Sequence, residues 1–168
     1  MGGAEERDFP PAPGPREEES LASSVSHVLE EARLLIPGAQ AFVGFQLVVV
    51  FNSRFAEVLD GTEQAIHLLA MACSIIAMSL LMTPALYHRE AESGWISRGF
   101  VNLSTKLLGA ATPLLGASVA LDFYLIARAI THDRTLALLA AAGIAAMIAF
   151  LWFLLPRIGP LRDLLRRG

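Results

Sequence analysis

Four apolar runs, each long enough to cross a lipid bilayer as a helix, govern what this chain can fold into. At 1.5 Å per residue, about 20 apolar residues span about 30 Å of hydrocarbon. The runs fall at Leu34–Phe55, Gln64–Tyr87, Leu107–Ile130 and Thr135–Leu155. Lipid offers no partner to an open backbone, so each run is read as a helix. The every-second-residue alternation of a membrane barrel is missing. The expected fold class is all-α, an integral membrane bundle of four transmembrane helices with both termini cytoplasmic.

Composition supports this. Hydrophobic residues make up 54% of the 168-residue chain and charged residues 17%, against about 45–50% and 25% in soluble domains. The net charge of −3 and the lack of a basic run interleaved with aromatics argue against nucleic acid as a partner. Residues 1–25, with "PPAPGP" and "REEES", have the composition of a flexible cytoplasmic tail. They lack the basic start and apolar core of a signal peptide. Residues 26–157 are read as the four-helix transmembrane domain, and 158–168 as a basic cytoplasmic tail.

Orientation follows from the cations. With the N-terminus inside, ten of the thirteen Lys and Arg residues lie inside. Three, Arg54, Arg128 and Arg134, lie outside. That asymmetry places both termini in the cytoplasm. The first helix is expected to start at Ser24 or Ser26. The third is expected to begin early, near Trp95, an interfacial residue type.

Polar and small residues recur on these helices in steps of three and four. On the first, Glu30, Arg33, Pro37, Gln40, Gly44, Leu47, Phe51 and Arg54 form one stripe, and Gln46, Val50, Ser53, Glu57 and Asp60 another. The second carries Glu63, His67, Ala70, Ser74, Ala77, Leu81, Pro84 and His88. The third carries Lys106, Gly109, Pro113, Gly116 and Ala120. Such stripes let helices approach closely and bond across the contact. Gln40 and Gln46 are therefore expected to face other helices. Either they glue the bundle, or they line a hydrated path.

Ionisable residues inside a span are costly and usually face the bundle or a water cavity. Asp122, within "SVALDFYLIAR", and His67 are such residues, with Arg54 and Glu57 at the same outer level. Asp122 is expected to pair with Arg54 or His67, as a static ion pair or as a working ion or proton site. At the inner end Glu30, Glu31 and Arg33 are expected to meet His88, Arg89 and Arg157 in a charged collar, with His88 able to titrate near neutral pH. The lone Cys73 reads as a small apolar residue. No zinc, phosphate-loop or nucleophile-elbow motif occurs, and His67 and His88 would stand roughly 31 Å apart on one helix. No enzyme activity, metal or cofactor is expected.

The segments "EARLLIPGAQAFVGFQL" and "LLMTPALYHR" resemble those of a family of short, uncharacterised bacterial membrane proteins with four helices, over residues 26–157. Some members are labelled sodium:proton antiporters. The resemblance implies the bacterial inner membrane and leaves two functions open. One is an ion or proton permeation unit, acting as a homo-oligomer because four helices alone rarely enclose a hydrated route. The other is a non-transporting structural or accessory subunit of a larger membrane complex. The lipid bilayer is the partner common to both.

Overall fold

Capping chemistry sets where the helices start and stop. The computed structural model describes residues 15–91 and 98–158. Helix α1 runs Pro15–Val50. A proline is well suited to a helix's first turn, where its missing N–H is no loss. The helix thus begins at Pro15, ahead of the expected start at Ser24 or Ser26, and runs through the latter part of the segment whose composition reads as flexible. After a turn in which Asn52 Oδ1 accepts from the Arg54 N–H at 3.0 Å, a single turn follows, α2, Phe55–Val58.

Helix α3, Gly61–Ala91, starts on a capping box. Asp60 Oδ1 accepts from the Thr62 and Glu63 N–H groups, both at 2.9 Å, and Glu63 Oε2 accepts from the Asp60 N–H at 3.0 Å. Each side chain satisfies a helix-terminal donor that has no partner of its own. Helix α4 runs Arg98–Thr131. His132, at φ 56°, reverses the chain. Asp133 then caps α5, Arg134–Ala149, by accepting from Thr135 and Leu136. The path continues as a π turn, Phe150–Leu154, and a 3₁₀ turn, Leu155–Arg157. Pro156 lies in that last turn; with no N–H to donate, it cannot continue an α-helical ladder. The early start expected near Trp95, and most of the 158–168 tail, lie outside the described residues.

No strand occurs among the described residues. Among the described residues four helical stretches are long and apolar enough to cross a membrane: Ser23–Val50, Gly61–Tyr87, Arg98–Thr131 and Arg134–Arg157. Each of α1, α3 and α4 runs through an internal proline.

The packing is a central α3–α4 pair, with α1 against both and α5 against α4. On α3 the buried residues are Glu63, His67, Ala70, Ser74, Ala77, Leu81 and Pro84, the stripe read from the sequence. Their small size lets α4 approach: Ala70, Ser74, Ala77, Ala111 and Ser118 are all fully covered. Ala39, Ala77, Leu81, Leu108 and Ala111 form one apolar core. On α4, Gly116 faces α5; a Cβ there would lie 3.1 Å from Ile148 Cγ2. Of the rest of that expected α4 stripe, Lys106, Gly109 and Pro113 are exposed and Ala120 is half-buried.

Within the chain only one face of α1 is covered. Its buried face is Val25, Ala32, Ala39, Val43 and Gln46. The stripe Glu30, Arg33, Pro37, Gln40, Gly44 and Leu47 lies on the opposite flank and is exposed throughout. Steps of three and four identify a face but not what covers it.

Candidate functional site

The α2 end of the bundle brings three polar side chains from three helices together. Gln46 is four residues before the end of α1, His67 six residues into α3, and Asp122 nine residues before the end of α4. At 1.5 Å per residue these are roughly 6, 9 and 13 Å inside their helix ends. His67 Nδ1 stands 3.1 Å from Asp122 Oδ1. Gln46 Nε2 donates to Asp122 Oδ2 at 2.6 Å and to Ser118 Oγ at 3.0 Å. His67 Nε2 lies 3.0 Å from the Gln46 backbone oxygen, and Phe55 packs edge-on against the imidazole.

Beneath this lies a serine pair. Ser74 Oγ and Ser118 Oγ are 2.6 Å apart, and Ser118 donates to the Ala70 carbonyl at 2.7 Å. Since Ser118 has one proton, already directed at Ala70, Ser74 must be the donor between the two hydroxyls. Ser118 also accepts from Gln46, so its capacity is filled. Gln46 is 3% exposed, and its Oε1 has no hydrogen-bond partner.

The imidazole thus bridges α1 and α4, with Nε2 on the Gln46 backbone carbonyl and Nδ1 on the Asp122 carboxyl.

Above the network opens a cleft of about 390 Å³. Its walls are apolar, with Phe42, Phe45 and Val49 from α1, Phe55 and Val58 from α2, and Leu125 and Ile126 from α4. Gln46, His67 and Asp122 line it, and Arg54 stands at its rim. The Asp122 side chain keeps 14% of its surface. Below, Ala70, Ser74, Ala77, Leu81 and Ser118 are sealed.

The end of the bundle is clamped by charge. Arg134 Nη2 bonds Asp60 Oδ2 at 2.8 Å. Arg128 Nε sits 3.1 Å from the buried Glu63 Oε1, angled so that the contact is Coulombic and not a hydrogen bond. The N–H groups of Glu63 and Thr62, with Arg134 beside them, hold the Asp60 carboxyl below its ordinary value of 3.8.

The sequence-derived candidates therefore divide. Gln46, His67 and Asp122 meet. Of the two partners expected for Asp122, His67 is the one in contact; Arg54 is exposed and makes no ion pair among the described residues. Glu57 is exposed on α2, and Gln40 is exposed on the far flank of α1. At the opposite end Glu30, Glu31, Arg33 and Arg89 are exposed. Arg157 turns back to the Phe153 carbonyl of its own helix, and Tyr87 stacks on Phe100. The surroundings of His88 lie outside the described residues. Sequence reasoning missed Ser118. The signal was its spacing, one turn before Asp122 and so on the same face. Among the described residues no group of three or more His, Cys, Asp or Glu could hold a metal ion.

Taken together, the molecule is an all-helical bundle with four membrane-length apolar helices and a buried His–Asp–Gln network. A family model matches residues 15–156. The chain belongs to that family, DUF6328, a family of unknown function. No curated protein and no solved structure matches it.

Proposed function

We propose that the chain is a multi-pass protein of the bacterial inner membrane, with both termini cytoplasmic. It acts as an oligomeric unit for proton-coupled ion permeation. The observation that carries this is the pairing of His67 with Asp122, 3.1 Å apart at the base of an apolar cleft. A net negative charge left there by deprotonation would be poorly solvated. Proton loss is then favoured when a cation takes the proton's place, and a proton and a cation compete for one acid. The cleft supplies access from one side, which is the outer side in the orientation of ten inner and three outer cations. Arg54 at the rim would tune which ions approach.

The sealed layer beneath favours a second reading. Ser74, Ser118 and the Ala70 carbonyl form a closed knot with no exposed atom in either serine side chain. A structural or accessory subunit needs only such a rivet.

Flux separates the two readings. Purified protein in liposomes carrying a pH-sensitive dye should pass protons or exchange them for Na⁺ or K⁺ above the empty-liposome rate. Asp122→Asn keeps the shape, removes the charge, and should abolish the flux while folded yield persists. Folded wild-type protein that passes no ion would leave the structural reading standing. For orientation, single cysteines at Asp60 and Asp133 in a Cys73→Ser background should label from outside intact cells. Labelling of a cysteine at Glu92 from outside would reverse the topology.

A further inference from the structure

The exposed stripe of α1 is ordered, polar at its centre and uncovered. Glu30, Arg33, Pro37, Gln40, Gly44 and Leu47 alternate in steps of three and four, the spacing of a two-helix seam. Gln40 is seven residues from Arg33 and ten from Val50, so roughly 10 and 15 Å from the two edges of the span. It points about 120° away from Gln46 around the helix. Its amide, with two donors and an acceptor, has no hydrogen-bond partner among the described residues, although hydrocarbon supplies none. One turn on, Gly44 has nothing within 4 Å of where a Cβ would stand.

We propose that α1 pairs in parallel with α1 of a second copy along this stripe, the two Gln40 amides bonding to each other across a two-fold axis. A two-fold axis sets each seam residue against its own counterpart. A primary amide is complementary to itself, donating and accepting at once. A polar residue at one seam position also fixes register and helix number. Gly44 lets the backbones close to bonding distance. At the edge of the span, Glu30 and Arg33 stand one turn apart, so each copy offers an acid diagonally to the other's base. A lipid chain answers none of the amide's three bonding positions. The inference rests on the membrane reading above but not on transport.

The test is cysteine cross-linking of the full chain in a Cys73→Ser background, in native membranes and after reconstitution of purified protein at low protein-to-lipid ratio. Leu47→Cys reports on the stripe with Gln40 intact. Phe45→Cys, on another exposed flank, and Gly143→Cys, with open space on α5, are the comparison sites. Dimers are expected from Leu47→Cys in both settings and from neither comparison site. Adding Gln40→Leu should lower the Leu47→Cys yield about tenfold, corresponding to about 1.4 kcal/mol, while the unfolding midpoint in detergent stays put. Gln40→Asn should restore part of the yield. Cross-linking through Phe45→Cys or Gly143→Cys instead overturns the proposal, as does a Leu47→Cys yield indifferent to Gln40→Leu. So does a monomer in liposomes, whether or not membranes give an adduct with another protein. None of these readings depends on flux, so loss of the transport proposal leaves this one standing.

Discussion

Gln40 and Gln46 are the same residue six positions apart on one apolar helix, and they meet opposite fates. Gln46 is built into the bundle, donating to Asp122 and Ser118 while its own carbonyl faces His67. Gln40 looks out of the monomer. The difference lies in what each residue's neighbours offer. Gln46 shares its face with Val25, Ala32, Ala39 and Val43, which pack closely against α3 and α4. Gln40 shares its face with Arg33, Pro37 and Gly44, which give an apolar surface little to hold. An amide in a membrane helix thus marks a contact, but the residues a turn away decide whether the contact is made within the chain.

The comparison can be broken by mutation, beginning with the largest effect. Asp122→Ala removes the Gln46 acceptor and the His67 partner and leaves two buried side chains each short of a bond. Breaking a buried pair in this way costs about 3–5 kcal/mol, and the water-accessible side of Asp122 places the expected loss at the lower end. Equilibrium unfolding by denaturing detergent measures it. A loss under 1 kcal/mol would show the network to be structurally idle. Gln46→Leu leaves Asp122 Oδ2 short of a donor, and about 1–3 kcal/mol is expected. Gln40→Leu, the matched change, should alter monomer stability by less than about 0.5 kcal/mol. Equal losses at the two positions would erase the distinction between the faces.

A second pair of predictions probes α4 and the α2 end. Gly116→Val places a branched side chain where Ile148 is already 3.1 Å from a Cβ. Overpacking of this kind costs about 1–3 kcal/mol, and since it acts on the α4–α5 contact, the His67–Asp122 distance should not change. Cysteine pairs bridging α4 and α5 would report the displacement. The smallest effect belongs to acid. Asp60 has a carboxyl held below 3.8 by the N–H groups of Glu63 and Thr62 and by Arg134. A depressed folded value means that its stabilisation is complete above 3.8 and fades as pH falls through the folded value. Asp60→Asn should flatten the acid limb of the unfolding profile and leave the neutral plateau nearly unchanged.

Much of this was legible in the chain itself. Helix number and approximate ends follow from the length of apolar runs, because lipid thickness sets a hard requirement. The α3 stripe was also legible. Its alanines, serine and histidine share the face with Leu81 and Pro84, and small residues on such a face draw a neighbouring helix close. The α1 stripe was read with the same rule, yet it finds no partner within the chain, since periodicity contains no information about which of two stripes the bundle covers. Asp122's choice of His67 over Arg54 depended on loop geometry: α1 ends at Val50, and the short α2 turn leaves Arg54 at the cleft rim. The Asp60–Glu63 capping box was readable from its spacing alone. Ser118 was readable too, though a serine in an apolar run looks unremarkable until a partner four residues on is recognised.

The polar network draws nothing from α5. Its residues come from α1, α3 and α4, while α5 rests on α4 through Gly116 and, of the four membrane-length stretches, is the least enclosed, with 6% of its apolar window buried. Synthesis proceeds from the N-terminus at about 5–20 residues per second, and early segments fold while later ones are still being made. The knot of Gln46, His67, Ser118 and Asp122 can therefore tie itself before α5 joins it. A nascent chain stalled after Thr131 would already contain every atom of the site, and α5 would arrive as a late addition to a finished three-helix unit.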